Sequence, residues 1–202
     1  HLLMGTYLRF RSAFPDSLHR KVRNVFRERG LYRGDTENHW VTYYTGVYLA
    51  AQTWPDQDGE QWFNGRSSEE NFRDAEGWLK HWMTITTTIG QGEFDSPTYL
   101  PVFLSPMLLL HDFAADPAMK KRATMMCDLL LADYAAEHLH GNYGGGHSRD
   151  YPADIANPLT ALTTWISWLY FGEPRTEPWS SPDYEPRYRG SWESVFGALS
   201  SY

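Results

Sequence analysis

The chain has 202 residues, a formal net charge of −7 and 42% hydrophobic residues, which fits a globular protein of one sizeable domain or part of a larger one. The acidic balance argues against nucleic acid as the main partner, because binding phosphate calls for a basic face. Cys127 is the only cysteine, so neither an intrachain disulfide nor a cysteine-based zinc cluster can form.

Nine Trp, thirteen Tyr and ten Phe give an aromatic share of 16%. That is enough to fill a core, and it also suits clefts that stack on the flat faces of sugars. The chain opens His1-Leu2-Leu3-Met4, without the basic start and long apolar run of a signal peptide and without an initiator methionine. It therefore reads as a processed or truncated product, with the compartment open. The longest uncharged runs, about 15 residues and broken by Pro or Gly, fall short of a membrane span.

In chain order, residues 16–29 read as a basic amphipathic helix with Leu18, Val22, Val25 and Phe26 on its apolar stripe and Gly30 as its stop. An apolar helix over about 36–53 follows, with no charge from Trp40 to Trp54 and hence burial almost all round. After a polar loop, Ser67 opens an exposed helix with Phe72, Ala75, Leu79, Trp82 and Met83 at helical spacing, ending at Gly90. The next helix, about 97–115, is uncharged from Ser96 to Leu110, and Pro101 and Pro106 are expected to bend or split it. A long amphipathic helix then runs from Asp116-Pro117 to about His140, closed by Gly141. A third apolar helix spans Pro158 to Phe171. The stretch 173–202, rich in Pro, Trp, Tyr and Arg, is expected to lie over the helical domain of residues 1–172, with a short helix near 191–199.

The apolar helices start roughly 60 residues apart and alternate with amphipathic ones, the pattern of an inner and an outer ring of antiparallel helices. Each apolar helix has an unusually polar entrance: Asp35-Thr36-Glu37-Asn38-His39, then Glu93-Phe94-Asp95-Ser96-Pro97-Thr98-Tyr99, then His147-Ser148-Arg149-Asp150-Tyr151. In such an arrangement all three lie on one rim. Asp35 or Thr36 also suits a helix cap, Glu37 complements a helix dipole, and Asp95-Ser96-Pro97 is a cap followed by a first-turn proline. Asn38 and His39 have no such explanation, since neither favours the first turn of an apolar helix. Tyr43 shares a face with His39 and also reads as core.

The alternation, with the Thr36-Glu37-Asn38-His39 and Glu93–Tyr99 blocks, resembles the (α/α)-toroid polysaccharide lyases and the related toroid glycoside hydrolases. The resemblance implies an all-α toroid. Three helix pairs make only an open arc, so the chain is a partial toroid completed by a missing segment, its own tail or another chain. It also implies β-elimination beside a uronic acid. Asn38, with Arg149 or a histidine, binds and neutralises the carboxylate, His39 removes the C5 proton, and Tyr99 or Tyr151 protonates the leaving oxygen. Tyr43, Asp95 and His147 are further candidates for substrate contact. The hydrolase alternative instead needs two carboxylates flanking a glycosidic bond, for which Glu37, Glu93, Asp95 and Asp150 are candidates. A third reading is a helical protein that binds a glycan without cleaving it.

The partner is thus a polysaccharide or oligosaccharide, with no nucleic acid, membrane, cofactor or metal called for. Such a substrate favours the periplasm or secretion. No phosphate loop, dinucleotide fingerprint, His-Glu-x-x-His or Gly-x-Ser-x-Gly occurs. His138-x-His140 with His147 reads as a solvated helix end rather than a metal site.

Overall fold

The computed structural model describes residues 1–56, 60–152, 154 and 161–173. Helix α1 covers Leu2–Phe10, and α2, Asp16–Asn24, continues as a wider π turn over Val25–Arg29. Next come α3 (Glu37–Thr53), α4 (Ser68–Ile89), α5 (Leu100–Phe113) and α6 (Pro117–Glu137). A short hairpin pairs β1 (His138–Leu139) with β2 (Asn142–Tyr143), and α7 (Thr163–Ile166) runs into a second π turn, Ser167–Phe171. No described helix is long and apolar enough to cross a membrane.

The chain is mostly helical, with α3 and α5 at its centre. Every residue from Leu100 to Leu110 is buried, as are Thr45 through Ala51, because these stretches carry no charge to keep in water. Helix α4 backs α3, and α6 backs α5. Each outer helix buries one face, with Ala75, Leu79, Trp82 and Met83 on α4 and Met119, Ala123, Met126 and Leu130 on α6.

Bonds at the helix ends fix their directions. The Gln52 side chain near the end of α3 donates to the Phe113 carbonyl at the end of α5, at 2.6 Å, so the two inner helices run parallel. His111 on α5 bonds Thr124 on α6 at 2.8 Å, while Tyr134, near the end of α6, packs on Tyr143 and donates to the carbonyl of Thr163 at the start of α7. The amide of Thr163 in turn donates to the Pro97 carbonyl at 3.1 Å. Thus α3, α5 and α7 all begin at the same end.

Three sequence expectations change. Helix α5 is continuous despite Pro106, because α3, α6 and α7 hold it on several sides and offset the loss of one helical hydrogen bond. The long helix stops at Glu137 rather than His140, and a short antiparallel hairpin adds to an otherwise helical fold. His140 and Gly141 both have positive φ, 49° and 89°, as a two-residue hairpin turn requires. Residues 1–15, assigned no element above, contain α1. Its Met4 and Tyr7 are buried, and Gly5 lies so close to α5 that a Cβ there would stand 2.7 Å from Leu109 Cδ2. The third apolar helix is described only from Thr163, and the helix expected near 191–199 lies outside the described residues.

Leu104, fully buried on α5, provides a check. Leu104→Ala is expected to cost about 2–5 kcal/mol, whereas Ile89→Ala, at an 83% exposed position, should change stability by less than about 0.5 kcal/mol. Chemical denaturation of the two variants measures the contrast.

Candidate functional site

The rim is assembled through Glu37. This first residue of α3 accepts from Trp82 Nε1 of α4 at 2.7 Å and from the backbone amide of Glu93 at 2.8 Å. The second entrance comes this close because residue 92 is glycine: a Cβ there would sit 2.9 Å from Glu37 Oε2. Glu93 then accepts from the Asn38 backbone N–H at 3.3 Å and pairs with the Arg149 guanidinium. The three entrances are therefore linked in series by hydrogen bonds and one ion pair.

Arg149 also lies over the Tyr99 ring, with its guanidinium carbon 4.6 Å from the centroid, a cation–π contact. The Tyr99 hydroxyl is 2.9 Å from that of Tyr151. Burial, then the bond to Tyr151, push the Tyr99 phenol above its ordinary range, while Arg149 pulls the other way. Tyr99 is thus held as a neutral phenol. The Ser96 hydroxyl donates to the Arg149 carbonyl at 2.6 Å, and the Ser148 amide donates to the Phe94 carbonyl at 3.0 Å. The third entrance is thereby stitched to the second.

Asp95 occupies a deeper layer. It is buried, holds a left-handed backbone with φ of 48°, and accepts from the Tyr143 hydroxyl at 2.9 Å. Burial raises its carboxyl to about 6, helped by Asp133 and Glu137 and opposed by the Tyr143 bond. His147 Nδ1 donates to the Asp95 carbonyl at 2.5 Å, and its Nε2 lies 3.2 Å from the Tyr143 carbonyl. Beside this layer opens a cleft of ≈ 420 Å³ lined by Tyr143, His147, Asp150, Asp154 and Thr163 among others.

The predicted residues thus separate into groups. Glu37, Glu93, Arg149, Tyr99 and Tyr151 form one connected cluster, with the buried Asn38 at its edge, its side-chain oxygen accepting from Thr36 at 2.6 Å. Asp95 and His147 brace the loop from beneath. His39 is exposed, its ring packed over the Gly34 backbone, and among the described residues it makes no hydrogen bond to the cluster. Tyr43 turns toward Tyr44, with Asp74 nearby on α4, and burial followed by those neighbours raises its phenol. Trp82, read only as core, and Tyr143 escaped the sequence reading as residues of the site. Their sole signal there was aromatic character at a helical core position and beside the glycine-rich loop.

Among the described residues, no group of three or more His, Cys, Asp or Glu is arranged to hold a metal ion. His138 is instead engaged by Ser167 at 2.6 Å. No family model matches the chain, and no curated protein or solved structure matches it.

Asp95 gives a signed pH prediction. A carboxyl raised in the folded state contributes stability that is fully present below its unfolded value and lost as pH rises through about 6. Asp95→Asn, which keeps an acceptor for Tyr143 and tolerates positive φ, should flatten the fall in melting temperature between about pH 4 and 7. An unchanged slope would assign the pH dependence elsewhere.

Proposed function

We propose that the chain belongs to a carbohydrate-active enzyme that cleaves a uronate-containing polysaccharide by β-elimination, its helices forming part of an (α/α)-toroid. The observation that carries this reading is the hydrogen-bonded Tyr99–Tyr151 pair beneath the Arg149 guanidinium. β-Elimination needs cationic and amide donors on the uronate carboxylate, a base for the C5 proton and an acid for the leaving oxygen. Arg149 retains N–H donors beyond the one given to Glu93, and the Asn38 amide, its oxygen held by Thr36, offers its NH2. Together they neutralise the carboxylate and make the C5 proton acidic.

His39, exposed one residue beyond Asn38 and making no hydrogen bond to the cluster among the described residues, is assigned as the base. It takes the C5 proton, the electron pair forms the C4–C5 double bond, and the C4–O bond breaks. The departing oxygen takes the Tyr99 proton, which Tyr151 replaces through the shared hydrogen bond. The glycosidase alternative draws less support from Glu37 and Glu93. Both oxygens of Glu37 are engaged, by the Trp82 indole and the Glu93 backbone amide, and Glu93 is itself bound by Arg149 and the Asn38 backbone N–H.

Digestion of uronate polymers should release product with the ultraviolet absorbance of an unsaturated uronate. New reducing ends without that absorbance would instead favour hydrolysis, and binding with neither would favour a glycan-binding role. Tyr99→Phe and His39→Ala should each lower turnover by about 100- to 10,000-fold with near-normal melting. Near-normal specific activity of His39→Ala would move the base to Tyr151, and near-normal activity of Tyr99→Phe would remove the phenol pair from the mechanism.

A further inference from the structure

Both ring nitrogens of His147 face backbone carbonyls, Nδ1 at 2.5 Å from that of Asp95 and Nε2 at 3.2 Å from that of Tyr143. A carbonyl oxygen only accepts, and a neutral imidazole carries a single N–H. Only the imidazolium, a donor at both nitrogens, satisfies the two contacts together. The two carbonyls belong to different elements, Asp95 to the second entrance and Tyr143 to β2. The ring therefore ties the hairpin to that entrance across Gly144-Gly145-Gly146, a stretch whose backbone is conformationally permissive.

The rim residues follow directly. The Ser148 amide and hydroxyl both donate to the Phe94 carbonyl, at 3.0 and 2.9 Å, and the Arg149 carbonyl accepts from Ser96. Carboxyls face this corner from each element packed on it. Asp95 comes from the second entrance, Asp133 and Glu137 from α6, and Asp150 and Asp154 from the cleft wall that His147 shares. The Tyr143 phenol donates to Asp95, and Arg149, two residues on, is committed to Glu93. We propose that His147 is a proton-operated latch on the third entrance: as imidazolium it fastens the loop with Arg149 and Tyr151 in place, and on losing a proton it gives up one bond and loosens them. Histidine changes charge between about pH 5 and 8, so the rim is fastened on the acid side and loosened on the alkaline side. The latch acts whatever ligand the rim takes, and its effect on turnover rests on the β-elimination reading.

Hydrogen exchange reads the latch without substrate. Protection of the Ser148 amide, corrected for the intrinsic pH dependence of exchange, should fall about tenfold from about pH 5 to about pH 8. Asp95→Asn keeps the backbone carbonyl that His147 binds and removes the neighbouring carboxyl that titrates at about 6, so the fall should persist there. In His147→Gln, which cannot change charge, it should vanish. A fall absent from the native chain, lost in Asp95→Asn or retained in His147→Gln overturns the latch. Proton–nitrogen NMR of the native ring serves where a variant fails to fold. Two ring N–H signals slow to exchange with water are expected near about pH 5 and one near about pH 8; a ring with no protected N–H at the acid end overturns the latch. A latch that passes these measurements in a chain yielding no unsaturated product from any uronate polymer stands, and the elimination reading alone falls.

Discussion

The geometry of the rim depends on one carboxylate. Glu37 stands at the start of α3, where the helix dipole favours negative charge, and joins two elements by accepting from the Trp82 indole and the Glu93 amide. Without it, the Trp82 N–H would be left unpaired in a buried place, a loss of about 1–3 kcal/mol. Its larger role is geometric. Glu93 is set by Glu37, Arg149 is set by Glu93, and Tyr99 lies under Arg149. The polar rim is therefore one body, built on a helix that is itself immobilised by burial on nearly every side.

Burial was legible because it follows from composition. The uncharged runs from Trp40 to Trp54 and from Ser96 to Leu110 lead directly to inner helices, and the mixed runs at 68–89 and 117–137 to outer ones. Directions at helix ends were less legible. Residues 117–140 keep a helical pattern, yet the last turn is replaced by a hairpin whose His140-Gly141 turn needs two positive φ angles. Glycine announces one of these, but histidine does not announce the other. Helix α1 is short, and what holds it is close approach of Gly5 to Leu109, a tertiary contact with no local sequence signature.

The site was legible as a set of segments and illegible as a set of partners. Adjacent residues on a helix point about 100° apart, so the Asn38 side chain turns inward to Thr36 while His39 turns to solvent over Gly34. A motif written as Asn-His conceals that separation. Glu37 reads equally as a dipole partner or a catalytic acid, because its bonds reach residues 45 and 56 positions away. The only trace of the second bond is Gly92, whose missing side chain makes room for the carboxylate.

Arg149 shows how a paired cation can still serve a ligand. Its side chain is 39% exposed against 12% for Glu93, so the carboxylate holds the guanidinium from the protein side while part of the cation stays open to water. A lysine in this place would be a compact point charge without the planar fork. The fork can hold one carboxylate and offer N–H donors to another while its flat face covers Tyr99. The ion pair also strengthens the guanidinium's hold on its proton, keeping it a permanent charge. Under the elimination reading, that permanence suits the task. The charge that must be met belongs to the substrate carboxylate and deepens as the C5 proton leaves, so the most useful donor is one already oriented and unable to give up its own proton.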